Sequence, residues 1–152
     1  MGKIKTIIFI NVNSGELSEI LMDISNYHTV FPFYEKARSI DKEHWEMRTH
    51  MKLGLFSKRG KTFSWVSCII SRNKYTLICR EIDPHYPLTQ MLGFWTIKKR
   101  DKGSCLSLLH KFEVHNRNVI YSIIASTIVY LNSKKLLKAL KYHLENEKRK
   151  IH

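Results

Sequence analysis

Three polar residues stand where the pattern of the chain calls for apolar ones: Ser67, His110 and Asn132. Ser67 shares a strand face with Phe63, Trp65 and Ile69, and His110 shares one with Leu106, Leu108, Phe112 and Val114. Asn132 continues a helical stripe of Ile120, Ile124 and Ile128 at spacing four, which Leu136 and Leu140 extend. A few polar groups in an otherwise apolar lining are the usual makeup of a small-molecule site. Each also has a structural alternative. Ser67 can bond to backbone, and His110 can be a satisfied core histidine. Trp65 and Trp95 are core aromatics before they are ligand platforms. Asn132 is harder to read as filler, because a buried amide needs partners.

No phosphate-binding loop, dinucleotide fingerprint, zinc-protease motif or nucleophile elbow occurs in the chain. Three carboxylates with apolar neighbours, Asp23, Glu81 and Glu113, form no obvious acid–base pair. Any catalysis is therefore expected to proceed without a metal or a nucleotide, and no cofactor is expected.

The elements that must position these residues follow from the pattern. Lys3–Asn11 alternates and is rich in β-branched residues, which predicts a first strand. Ser14 offers an N-cap to a helix whose apolar face is Leu17, Ile20, Leu21 and Ile24. Ser25 or Asn26 can cap a second short helix through Tyr27, Val30 and Phe31, which Pro32 ends. Strands are then expected at about Ala37–Ile40, His44–Met51, Thr62–Ile70, Tyr75–Ile82, Gln90–Lys98 and Cys105–Val114. Their separators, including residues 54–60 and Asp101–Gly103, are meander turns, so consecutive strands should pair antiparallel. Alternation turns Trp45, Met47, Thr49 and Met51 inward and Glu46, Arg48 and His50 outward; Met91, Gly93, Trp95 and Ile97 also face inward. From Asn116 or Asn118 onward no proline or glycine occurs, and a long helix is predicted. A sheet of about seven strands with one substantial helix must curl, and the helix closes the open side over a cavity.

Composition bounds the rest. The 152 residues fit one domain, and 43% hydrophobic with 26% charged residues describes a globular chain. The three cysteines, Cys68, Cys79 and Cys105, are odd in number and far apart. That pattern suits a reducing cytoplasm, and no secretory leader is read at the N-terminus. Val119–Leu131, the most apolar helical stretch, is shorter than the roughly 20 residues a membrane span needs, so no stable insertion is expected. Twenty-six Lys and Arg against thirteen acids give +13, which favours an anionic partner or describes a solvated basic surface. The cations punctuate strand ends (Lys58, Arg59, Lys61; Lys98, Lys99, Arg100, Lys102) and the tail (Lys134, Lys135, Lys138, Lys141, Lys148, Arg149, Lys150). No RNA-binding motif accompanies the charge, and no nucleic-acid partner is expected.

The segments Phe63–Ser67, Tyr75–Arg80, Gly93–Trp95 and Lys111–Glu113 together resemble the aromatase/cyclases of bacterial type II polyketide synthases, most closely the tetracenomycin-type monodomain enzymes. Asp23, Ile24, Phe31, Tyr34, Leu131 and Asn132 fall in matching places, and the diffuse match runs from Thr6 to Glu147. The resemblance implies one START-like, helix-grip α+β domain over residues 1–152. It also implies a substrate: a poly-β-ketone chain on an acyl carrier protein, folded in the cavity for an intramolecular aldol closure and dehydration. By the same resemblance Tyr34 is a proton donor or acceptor near the mouth, and Ser67 and Asn132 are polar points of the cavity. Phe31, Trp65 and Trp95 are wall residues; Leu108 and Ile128 join them as substrate contacts by facing inward. The family's cavity arginine, two residues after the serine, is Ile69 here, which is expected at that place as a substrate contact. His110, on a neighbouring inner face, is expected to supply the missing polar function. A non-enzymatic carrier of a quinone, lipid or other apolar ligand is the alternative, which Ile69 and the apolar lining favour.

Overall fold

The computed structural model describes residues 1–51 and 60–151. Seven strands form one antiparallel sheet: β1 (Gly2–Ile10), β2 (Tyr34–Ser39), β3 (His44–Met51), β4 (Lys61–Arg72), β5 (Thr76–Ile82), β6 (Leu88–Arg100) and β7 (Gly103–Val114). Their spatial order is β1-β7-β6-β5-β4-β3-β2, so β2 to β7 form a meander and β1 joins its far end beside β7. Short helices α1 (Ser14–Met22) and α2 (Tyr27–Val30) follow β1, and α3 (Val119–Ile151) ends the chain. This is the expected curved sheet around a long C-terminal helix. Irregularities between Tyr34 and Lys36, Ile69 and Ser71, and Leu88 and Gln90 add local twist, which helps the sheet curl.

Several strand ends shift by one or two residues, and three of the differences from the sequence reading have local reasons. Asn13, not Ser14, caps α1, its Oδ1 accepting from the Glu16 N–H at 2.9 Å. Ser14 lies inside the helix, where its hydroxyl meets that of Ser104 at 3.0 Å in the core. The second strand begins at Tyr34 rather than Ala37, because Phe31 and Pro32 release the chain from α2 directly into pairing with Thr49. At the second helix neither Ser25 nor Asn26 makes a side-chain cap; a 3-10 turn at Ile24–Asn26 leads into α2 instead. The expected side chain of Met51, the separator at 54–59, and Lys58, Arg59, Lys148 and Arg149 lie outside the described residues.

The long helix is rotated from the expected stripe. Its buried face is Ala125, Val129, Ser133, Leu137, Leu140 and Leu144, one residue on from Ile124, Ile128, Asn132 and Leu136. One residue is about 100° of rotation. The physical reason is the sheet's curvature: small Ala125 and Val129 approach Phe112 and Val114 closely, while the larger isoleucines stand to one side. The C-terminal half of α3 is held by Leu137, Leu140 and Leu144 against Ile10, Leu17, Leu106 and Leu108 in the main core. Helix α3 therefore packs on the β1–β7 side of the sheet along its length and stands off from β3, β4 and β5.

Candidate functional site

The space between α3 and the concave face of the sheet is a cavity of about 450 Å³. Strand alternation delivers its wall. Tyr34, Thr49, Phe63, Trp65 and Ser67 come from β2 to β4, and Cys79 and Glu81 from β5. Met91, Gly93, Trp95 and His110 come from β6 and β7, and Ile124, Ile128, Asn132 and Leu136 from α3. Exposed Lys61, His85 and Tyr86 stand at the rim. The His85 Nε2 lies 2.9 Å from the Ser64 carbonyl, and the Tyr86 hydroxyl donates to that of Tyr121 at 2.7 Å. These contacts tie the loop before β6 to β4 on one side and to α3 on the other.

Seven of the ten residues expected here reach the wall: Tyr34, Ser67, His110, Asn132, Trp65, Trp95 and Ile128. Phe31, Ile69 and Leu108 do not. Phe31 is 1% exposed and packs behind Tyr34, with ring centroids 5.5 Å apart. Leu108 is fully buried opposite Trp95 and Thr6, and Ile69 packs against the main core opposite Cys79. They brace the wall from beneath.

His110 is the best-defined polar point. Its Nδ1 lies 2.8 Å from the hydroxyl of Ser133, and that hydroxyl donates to the Val129 carbonyl one turn back at 2.7 Å. Serine has one proton. With it committed to Val129, the Ser133 oxygen accepts from Nδ1–H, which leaves the Nε2 lone pair for the cavity. Gly93 sits opposite His110 in the ladder, and a Cβ there would lie 3.6 Å from Nε2. The missing side chain thus keeps space open at that nitrogen. Burial lowers the His110 pKa to about 4, so the ring is neutral near pH 7. Ser133 was not legible as a partner, because the expected stripe ran through its neighbour Asn132.

A second polar group surrounds Glu81, opposite Ser67 in the ladder. Burial raises the Glu81 pKa to about 7, with His85 pulling weakly the other way. Burial also raises the Cys79 thiol to about 11, against a hydrogen bond from Ser67 that opposes the rise. Tyr34 is held protonated by burial, with Cys79 and Glu81 adding to the effect, so near neutrality it is a hydrogen-bond donor and not a phenolate base. The arrangement places a phenol donor, a carboxyl poised near neutrality and a neutral imidazole acceptor on one apolar wall. Among the described residues no three His, Cys, Asp or Glu side chains group as a metal site.

Glu81 has a stability consequence. Its folded pKa of about 7 exceeds the ordinary carboxylate value, so the native state holds a proton that the unfolded chain has lost. Stability therefore falls as pH rises through the window from about 4.5 to about 7. His110 works in the opposite sense, its lowered pKa of about 4 making stability rise between about pH 4 and 6.5. Glu81→Gln should be nearly neutral at pH 4 and stabilising at pH 9, on the order of 1–2 kcal/mol with cavity water screening part of the charge. Urea unfolding at both pH values checks this; an equal gain at both would mean that Glu81 is not ionising inside the fold.

No protein-family model matches the chain, and no curated protein matches it significantly. Solved structures do match. The di-domain ARO/CYC BexL from the BE-7585A biosynthetic pathway superposes with a TM-score of 0.83 at 17% identity, covering 95% of this chain and 47% of that one. The chain thus spans about half the length of that di-domain protein. The Zhui aromatase/cyclase from Streptomyces sp. R1128 gives 0.67 at 15% identity, covering 99% and 96%. A START superfamily protein from Mycobacterium smegmatis gives 0.75 at 11%, covering 95% and 97%. What these proteins have in common with the chain is its architecture, the START-like helix-grip fold.

Proposed function

We propose that the cavity folds a carrier-bound poly-β-ketone and directs one intramolecular aldol closure, followed by dehydration to an aromatic ring. The observation that carries this reading is the wall itself: an apolar, aromatic surface with Tyr34, Glu81 and His110 as separate donor and acceptor points. The likeness to aromatase/cyclases supports it.

The chemistry asks little of the residues. A methylene between two carbonyls is already acidic, so a modest base suffices. Glu81 as carboxylate, or His110 through Nε2, takes that proton. The carbanion attacks a second carbonyl carbon, forming the C–C bond, and the carbonyl oxygen gains the charge. Tyr34 donates a hydrogen bond to that oxygen, and the oxygen is then protonated to the alcohol. Loss of a further methylene proton and of the hydroxyl releases water and leaves the double bond. Trp65, Trp95 and Ile128 hold the chain in one register, and positioning supplies much of the rate. The basic surface suits an acidic carrier protein, whose docking would weaken with salt.

A second reading is a carrier that shelters an apolar ligand without altering it. Ile69 in place of the family arginine and the START superfamily likeness favour it. Reconstitution with a minimal polyketide synthase separates the two: a cyclase shifts the product ring pattern, whereas a carrier leaves it unchanged and retains a quinone or lipid visible by native mass spectrometry.

A further inference from the structure

Among the described residues, the longest run of exposed apolar side chains lies on the first half of α3. Val119, Ile120 and Ile123 are 72%, 66% and 62% exposed, and Ile124, Ile128 and Leu131 continue the face. A contiguous aliphatic face on a water-soluble fold marks an interaction site. Residues 119–133 contain no charged side chain. Two of the polar side chains at this end bond to the helix backbone. The Asn118 Oδ1 accepts from the N–H groups of Ile120 and Tyr121, and the Thr127 hydroxyl donates to the Ile123 carbonyl at 3.0 Å.

Charge selects the occupant. Between Glu113 and Glu145 the chain carries no carboxylate but five cations: Arg117 before the apolar stretch, and Lys134, Lys135, Lys138 and Lys141 after it. An aliphatic helix face flanked by cations is the pattern of an interfacial helix on anionic lipid. A second copy of the chain would bring +13 against +13 and is disfavoured. Ile124 and Ile128 also line the cavity, so the cavity opens beside this face. Exposed Tyr86, joined to Tyr121, adds an aromatic residue of the kind enriched at membrane surfaces.

We infer that this face docks on an anionic bilayer, with the first half of α3 lying in the interface and the cavity mouth turned to the lipid. The association is peripheral, since no described helix is long and apolar enough to cross a membrane. An apolar ligand or product could then pass between bilayer and cavity without crossing water.

Sedimentation with vesicles tests this, using phosphatidylcholine alone and phosphatidylcholine with about one-third phosphatidylglycerol. The protein should bind the anionic vesicles preferentially, and binding should weaken with salt. The double variant Ile120→Asp, Ile123→Asp should bind at least about tenfold more weakly. Neither residue lines the cavity, and unchanged circular dichroism and melting would establish that the variant is folded. Absence of binding to the anionic vesicles, or equal binding by the variant, overturns the proposal. So does a variant that alters only self-association in the ultracentrifuge, or only binding to a carrier protein. The cyclase reading is judged by products from a soluble reconstitution, so either idea can fail alone.

Discussion

Replacing His110 with alanine should slow ring closure by roughly 10²- to 10⁴-fold, the usual range for a positioned acid–base group. The expectation rests on the geometry around the ring. Ser133 fixes the tautomer from behind, and Gly93 leaves space in front of Nε2. Ser133→Ala should cost less, about tenfold, because the ring stays in place but loses the group that orients it. The pH profile assigns the remaining roles. His110 titrates near 4, so its charge is constant from about pH 5.5 upward. A rise in rate through about pH 7 would belong to Glu81 becoming carboxylate, and Glu81→Gln should abolish that limb. An unchanged rate and product profile in His110→Ala would remove the imidazole from the mechanism.

Filling the cavity from the sheet side should be nearly as damaging, without harming the fold. At Gly93 a Cβ makes ordinary contacts with the His110 ring, at 3.6 and 3.7 Å, so a side chain can begin there without displacing backbone. Gly93→Leu then projects an isobutyl group into the space before Nε2. Affinity for a polyketide surrogate, read from Trp65 and Trp95 fluorescence, should fall by at least about tenfold. Stability should hold or rise by about 0.5–1 kcal/mol, because glycine inside a strand is entropically costly. Falling affinity with rising stability separates occlusion from misfolding. Undiminished affinity would place the ligand away from His110.

Much of this architecture was legible in the sequence, because strand alternation and the proline- and glycine-free C-terminal run are strong local signals. Trp45, Met47 and Thr49 turn inward and Glu46 outward, where it pairs with Arg38 at 2.6 Å, as the alternation requires. The cavity wall was partly legible for the same reason: Ser67, Trp65, Trp95 and His110 sit on faces set by parity alone. What escaped depends on tertiary fit. The α3 stripe identified Ile124, Ile128 and Asn132 as cavity residues, yet the residues pressed on the sheet are their neighbours, because small Ala125, Val129 and Ser133 permit the closer approach. Ile69 and Leu108 have inward-facing patterns and Phe31 was expected by resemblance, but depth decides whether such a residue lines a cavity or lies beneath its wall. Glu81 was visible as a carboxylate among apolar neighbours. Its partners were not, since Ser67 and Tyr34 come from other strands.

The most direct measurement is the ring pattern of the products made by a minimal polyketide synthase and its carrier protein, with and without this protein. The wild-type chain should concentrate products into one first-ring pattern, and His110→Ala and Gly93→Leu should return the unguided mixture. An identical product distribution in the presence and absence of the wild-type protein would contradict it.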